Sequence, residues 1–426
     1  MGDRKVALED ERGVVDSDTE SPRLESQHGD TVPDAVAPPP HHPRFPLLDG
    51  MRSIAVLSVV LVHTTVGAHD TPILGPLLAH TNIGVAIFFL ISGFLLYRPF
   101  IAHRGGGPAA PSVDQYAKRR VLRIYPAYWL VLTVLVIAPG LTGIGDGEWW
   151  ALYGLVQTLP GASDCNPFLT QCGVSQTWSL VTEVTFYAAL PLYVLATAFL
   201  ARRRSVRNWM RLELLLLAIL SIVSVLLHFV VLDGTARSWV APSVVGYVFW
   251  FALGMGLAIA SVGLERRERQ PALIRLVASR PLIPWSLAFT VYVLLSAWLP
   301  STPVIFDKDR VIVIHVAFGL IAALLLLPAV FGDRSGGLPR RFLAHPVVAW
   351  LGLISYGIFL WHYAIALRLR GADLDPSLVL IATLAITIPC ATASYYLVER
   401  PLLRLKYRRL RDVVGYVRRA RRLPPP

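Results

Sequence analysis

Charge is what this chain has least of. Only 16% of its 426 residues are Asp, Glu, Lys or Arg, against 54% hydrophobic residues, and its mean hydropathy is +0.54. That leaves too few polar groups to coat a soluble globule, which excludes a soluble enzyme and points to a polytopic membrane protein. Cysteine is scarce too, at three residues. Cys390 lies in an apolar run and reads as a small packing residue. Cys165 and Cys172 share a polar loop, where a disulfide is permitted if the loop faces an oxidising compartment, and they form no metal motif. No tandem repeat, glycine-rich phosphate loop, soluble catalytic domain or basic-then-apolar cleavable signal is present. The net charge of +12 does not point to nucleic acid. Its arginines gather in short clusters between apolar runs, which is how a membrane protein sets its orientation.

What the chain does have is apolar runs long enough to span a bilayer. We read ten, over residues 51–68, 80–97, 124–142, 177–200, 212–232, 241–262, 281–299, 311–331, 347–366 and 376–398. The expected fold is all-α, a membrane bundle of about ten transmembrane helices. Residues 1–44 read as a disordered, acidic, proline-rich tail, 45–405 as the membrane domain and 406–426 as a basic tail. Arg98, Arg104, Lys118, Arg119, Arg120 and Arg123 fall between the second and third spans, and Arg202, Arg266, Arg340 and Arg341 fall on the same side. That side should be cytoplasmic, with both termini inside. The opposite connections hold Asp146 and Glu148, with Arg368 and Arg370 as the exceptions. The loop of Cys165 and Cys172 then faces outward, and the short apolar stretch at 148–159 reads as an interfacial helix.

Several ionisable groups sit at membrane depth, where they are costly and mark function by default. His63 lies eleven residues after Arg52. At about 100° per residue the two share one helical face, about 16 Å apart. The pair reads as a functional site turned toward a protein-lined, hydrated cavity, the lesser alternative being an interface arginine that snorkels plus a histidine bonded to a neighbouring helix. Glu183 lies inside the fourth span at a depth similar to that of His63, so it either orients that imidazole or satisfies a backbone or hydroxyl group between helices. Arg119, Arg120 and Arg123 read either as a phosphate clamp or as orientation signals. Ser92 and Gly93 suit close helix approach. Glu399, Arg400 and Pro401 read as an ion pair closing the tenth span before proline. His362 reads either as an aromatic-belt residue beside Trp361 or as a substrate contact. His315 has no specific role.

Six segments together carry a resemblance. They are Leu48-Asp49-Gly50-Met51-Arg52 leading to His63, Phe88-Phe89-Leu90-Ile91-Ser92-Gly93-Phe94, and Arg120-Val121-Leu122-Arg123-Ile124-Tyr125-Pro126. The others are Trp178-Ser179-Leu180 with Glu183 and Phe186-Tyr187, Ser355-Tyr356-Gly357-Ile358-Phe359-Leu360-Trp361-His362, and Tyr396-Leu397-Val398-Glu399-Arg400-Pro401. From about Leu47 to Pro401 the chain resembles the acyltransferase-3 family of bacterial integral membrane acyltransferases. The resemblance implies a ten-helix enzyme of the bacterial cytoplasmic (inner) membrane. It would take an acyl group, acetyl being the expected one, from cytoplasmic acyl-CoA to a hydroxyl of a sugar, envelope glycan, glycolipid or related small acceptor.

Carried over by position, the resemblance makes His63, Glu183 and Arg52 the catalytic set and Arg119, Arg120 and Arg123 the donor-binding set. Trp178, Tyr187 and His362 are the expected substrate contacts. His63 would act either as general base or as a transient acyl carrier. Two departures from the family pattern stand out. Ala86 occupies a position where many members have aspartate, with Asn82 nearby, and the hydrolase-like domain some members carry is not seen here. A different class, a proton-coupled transporter or flippase using the buried histidine and glutamate as a relay, is the rival reading. Transporters often carry paired spans interrupted by glycine or proline, and no such pair is read in this sequence.

Overall fold

In a bilayer every backbone amide must be satisfied within its own segment or sheet, so apolar runs of this length fold as helices. The computed structural model describes residues 45–65, 71, 74–138, 148–159, 173–227, 243–265, 267–300, 308–332, 336–372 and 374–404. The described residues form helices and the connections between them, with no strand among them. The helices are α1 (Leu47–Thr64), α2 (Leu74–Ala79), α3 (Gly84–Arg104), α4 (Val113–Ile137), α5 (Trp149–Gly154), α6 (Trp178–Ala201), α7 (Val206–Leu226) and α8 (Val244–Glu265). They continue as α9 (Ala272–Ser279), α10 (Leu282–Trp298), α11 (Lys308–Val330), α12 (Leu338–Ala344), α13 (Pro346–Leu353), α14 (Ser355–Arg370), α15 (Pro376–Ser394) and α16 (Arg400–Arg404). Eight helical stretches are long and apolar enough to cross a membrane, or up to ten if α9 with α10 and α13 with α14 each make one bent span. The expected tails and the pair Cys165 and Cys172 lie outside the described residues.

Three expectations need correction. The ninth span is not one rod, because α13 and α14 meet at 69° around Ile354, and α9 meets α10 at 90°. Broken spans therefore exist where the sequence suggested none. The third span begins at Val113 rather than 124, so Arg119, Arg120 and Arg123 ride on the helix instead of in a loop before it. The tenth span does not stop at Pro401. It passes through one π-helical turn at Tyr395–Glu399 and continues as helix over Arg400–Arg404, the last of the described residues. At the start of α15 the hydroxyl and backbone amide of Ser377 donate to the Asp375 carboxylate, the latter at 2.8 Å, which caps the helix and holds that carboxyl below its usual range.

The centre of the bundle is where α1, α3 and α8 meet, around Met51, Val56, Phe89, Phe94 and Phe251. Gly93 and Gly254 make the α3–α8 contact possible. A Cβ on Gly93 would stand 2.2 Å from the Phe251 carbonyl oxygen, and one on Gly254 would stand 2.1 Å from that of Leu90. Lipid offers helices no hydrophobic force to associate, so such backbone-to-backbone approach supplies much of the packing energy. Outside this contact, Leu192, Phe199, Ile222, Phe289, Ile381 and Leu397 are exposed, as an apolar surround would require. Arg340, which the sequence offered only as an orientation signal, has no exposed surface. Its guanidinium donates to the carbonyls of Val277, Ala278, Pro328, Phe331 and Gly336 at 2.7–3.2 Å, tying α9, α11 and α12 together.

Candidate active site

A cavity of about 110 Å³, open at its mouth, lies among α1, α3, α4, α6 and α14. Arg52, Arg120, Arg123, Glu183 and Tyr187 all line it, together with Phe88, Ser92, Ser355, Tyr356 and Phe359. Five residues named from the sequence, on three helices, thus converge on one wall. Arg52 arrives there because α13 packs against the start of α1. Gly352 allows this, since a Cβ on it would stand 1.7 Å from the Asp49 carbonyl oxygen.

The charges in this cavity are unevenly matched. Arg52 donates to Asp49 one turn earlier. Arg123 pairs at 3.2 Å with Glu399, which is only 2% exposed, so Glu399 reaches across to α4 instead of closing its own helix with Arg400. Arg120 lies 5.5 Å over the Tyr187 ring and has no carboxylate partner among the described residues. Glu183 accepts hydrogen bonds from the Ser92 hydroxyl and, at 2.6 Å, from the Tyr187 hydroxyl. Ser355 and Tyr356, at the N-terminus of α14, face the same space, and a helix start with unbonded amides attracts anions. The wall therefore offers three guanidiniums and a helix N-terminus against one lining carboxylate.

His63 is not part of that wall. Its Nδ1 lies 3.1 Å from Nε2 of His362, and its ring meets Tyr363 edge to face at 4.9 Å. Of the two readings of Glu183, a partner for His63 or a group satisfied by hydroxyls between helices, the structure has the second: Ser92 and Tyr187 face the carboxylate, and His362 faces the imidazole of His63. Equal depth in the membrane does not fix azimuth, and depth was the only argument for that pairing. His362 is fully buried. Trp178 likewise packs against Phe89 and Tyr247 in the aromatic core, while its neighbours Ser179 and Leu180 line the cavity. Arg119 turns to a second cavity beside Arg98 and Gln115, which shares Leu95 with the first.

The two centres have neighbouring residues on α14. Phe359 lines the cavity, and its ring lies 6.1 Å from that of His362 one turn later. Along α1, a regular helix, Arg52 and His63 are about 16 Å apart. Sequence reasoning missed Tyr356, whose ring lies under Arg123 at 5.5 Å, and favoured packing for Ser92, whose hydroxyl donates to Glu183. Both stand inside quoted motifs, so position in a motif was the available signal.

The family model described as "Acyltransferase domain" matches residues 45–396. The chain is 25% identical over 384 residues to "Putative peptidoglycan O-acetyltransferase YrhL" of Bacillus subtilis (strain 168), covering 85% of this chain and 55% of that protein. It is 24% identical over 384 residues to "O-acetyltransferase OatA" of Staphylococcus aureus (strain NCTC 8325 / PS 47), covering 85% and 58%. It is 25% identical over 342 residues to "Peptidoglycan O-acetyltransferase OatA" of Listeria monocytogenes serovar 1/2a, covering 75% and 49%. The chain spans about half the length of the curated relatives it matches. No solved structure matches it.

Proposed function

The chain belongs to the acyltransferase domain family, and from that premise we propose that it moves an acyl group, acetyl first, from cytoplasmic acyl-CoA to a hydroxyl of an envelope glycan. Peptidoglycan is the first acceptor to try, because two of the relatives carry it in their names. The observation that carries the reading is the arginine-lined cavity, with Arg120 lacking a carboxylate partner among the described residues and the start of α14 beside it. Planar guanidiniums offer paired donors to phosphate oxygens, and a helix N-terminus adds amides. On this reading Arg120 and Arg123 hold the phosphates of the donor, and Arg52 lies toward the arm that carries the thioester. That arm follows α1 and α14 toward His63.

His63 then serves as general base. Its free ring nitrogen takes the proton of the acceptor hydroxyl as that oxygen attacks the thioester carbonyl. As the carbon–sulfur bond breaks, the departing thiolate recovers the proton from the imidazolium. Glu183 acts at the cavity wall rather than at the base, holding Tyr187 and Ser92 in place beside Arg120. The broken ninth span is also a device of transporters, in which half-helix N-termini point at substrate. One experiment separates the two readings. Labelled acetyl-CoA is mixed with membranes containing the protein, and label is sought on glycan, lipid and small hydroxylated products. Transfer that disappears in inserted His63→Ala, by about 10²-fold or more, is expected. Equal labelling with wild type and His63→Ala sinks the scheme.

A further inference from the structure

We propose that His362 is the positioning residue for His63, fixing which ring nitrogen of His63 carries the proton and which is left to act as base. The catalytic meaning rests on the reading of His63 above, whereas the proton's location does not. Nδ1 of His362 lies 3.1 Å from the Ile358 carbonyl oxygen, one turn back on α14. A carbonyl only accepts, so this nitrogen bears the hydrogen and donates it. A neutral imidazole has one donor and one acceptor, which leaves Nε2 of His362 as the acceptor. That atom lies 3.1 Å from Nδ1 of His63, so Nδ1 of His63 is the donor. The lone pair of His63 is thereby assigned to Nε2. The Ile358 carbonyl sets the direction of the bond between the two rings, and the Val59 carbonyl, one turn back on α1, also bonds the His63 ring.

The alternative, a protonated His362 donating from both nitrogens, puts a charge on a ring with no exposed surface and no carboxylate among its described partners. The neutral arrangement also suits the reaction. When Nε2 of His63 takes a proton from the acceptor hydroxyl, the imidazolium goes on donating Nδ1–H to the unchanged acceptor of His362. When the thiolate leaves, the proton departs from Nε2 and the pair returns to its starting state. His362 never changes protonation, so no second charge is created at membrane depth. A carboxylate in this role would stabilise the imidazolium more strongly but would have to be kept ionised there. The neighbours hold the geometry: Trp361 donates to the Ser394 hydroxyl at 2.9 Å, fixing the rotation of α14 against α15.

The test uses the full chain in lipid nanodiscs with ¹⁵N-labelled histidine rings, His63 being assigned by loss of its signals in His63→Gln. In the neutral wild-type protein without substrate, the proton of His63 is expected on Nδ1. In His362→Leu, which removes the acceptor, the proton is expected to redistribute between the two nitrogens. The same variant should lose about 10²- to 10⁴-fold in kcat while the half-saturating donor concentration changes less than about twofold. His362→Gln, whose side-chain oxygen can accept near the vacated Nε2, should restore the Nδ1–H form and recover about tenfold or more of the loss. A wild-type spectrum with the proton on Nε2 of His63 overturns the assignment, whatever the transfer assay gives. Equal loss in the Leu and Gln variants overturns the positioning role. If the spectra come out as expected and no acyl transfer occurs in any variant, the failure belongs to the proposed function and the proton assignment stands.

Discussion

Gly254 and Gly256 sit two residues apart on α8, and the same substitution at each should have opposite consequences. An alanine Cβ at 254 would stand 2.1 Å from the Leu90 carbonyl oxygen and 2.9 Å from the Phe94 amide nitrogen, both backbone atoms of α3. At 256 the nearest atom is Cδ2 of Leu214 at 3.9 Å, an ordinary contact with the end of a flexible side chain. Gly254→Ala therefore forces two helices apart by more than 1 Å to reach ordinary contact distance, and overpacking of this kind costs about 1–3 kcal/mol. Gly256→Ala costs nothing sterically and gains up to about 1 kcal/mol of helix propensity. The consequence reaches function, because α3 carries Phe88, Phe89, Ile91 and Ser92 into the cavity wall. Gly254→Ala is expected to lower both the thermal unfolding midpoint in detergent and the rate of transfer, whereas Gly256→Ala leaves both unchanged or raises the midpoint. Adding Gly93→Ala to Gly254→Ala should cost less than the sum of the two, since one separation of the helices relieves both clashes. Full additivity, or a Gly254→Ala protein as stable as wild type, refutes the argument that backbone contact holds α3 to α8.

Four further outcomes follow from the charges. Arg120→Gln removes a guanidinium with no carboxylate to abandon, so stability should hold. A lost charged hydrogen bond is worth about 1.5–3 kcal/mol, so the half-saturating donor concentration should rise by about tenfold or more. Arg123→Gln leaves Glu399, 2% exposed, without its cation, and should destabilise by about 3 kcal/mol, the lower end for a broken buried pair because Arg123 is 27% exposed; adding Glu399→Gln should recover the stability but not the donor affinity, read by thermal scan and by kinetics. Arg340→Met strands five backbone carbonyls and should lower the unfolding midpoint sharply, with Arg340→Lys unable to rescue it because an ammonium cannot reach all of them. At the surface, the Asp375 carboxyl is held below its unfolded value by Ser377, so its contribution is present above the unfolded value and lost as pH falls through the folded one. Asp375→Ala should therefore lower the midpoint at neutral pH, with the difference from wild type vanishing in acid.

Much of this architecture was legible because the bilayer is a demanding solvent. Each run that must satisfy its own backbone while facing hydrocarbon announces itself by length, and the runs read from the sequence fall on helices in the structure, the one at 347–366 being bent between α13 and α14. The spacing of Arg52 and His63 was legible for the same reason, since an unbroken helix converts sequence separation into azimuth and rise. What escaped were the links between helices. His63 meets a residue 299 positions away and Arg123 one 276 positions away, and neither separation has a period that could reveal it. The break at Ile354 escaped because it follows from the approach of α13 to α1 at Gly352, a tertiary demand that no proline marks.

The ionisable groups of the bundle divide by whether their bonding is complete. Glu213, fully buried, takes Arg104 as its ion-pair partner and accepts from Tyr97 and Tyr193, while Arg104 also reaches Thr197 and the Val194 carbonyl. Arg98 spends its donors on Ser261 and Glu265, and Arg340 spends its own on carbonyls. Each of these groups answers a charge with protein, as an apolar solvent demands of a group whose only task is to hold helices together. Arg120 and His63 differ in kind. One is a guanidinium with only a π-face beneath it among the described residues, and the other, on the assignment above, is a ring with an unspent lone pair and part of its surface open. A membrane protein that keeps such groups bears a cost the closed networks avoid, and the cost is explained if a substrate completes them. On the proposed function the anionic end of the donor would lie at Arg120 and the reacting hydroxyl at His63, so losing either group should impair transfer far more than it impairs folding.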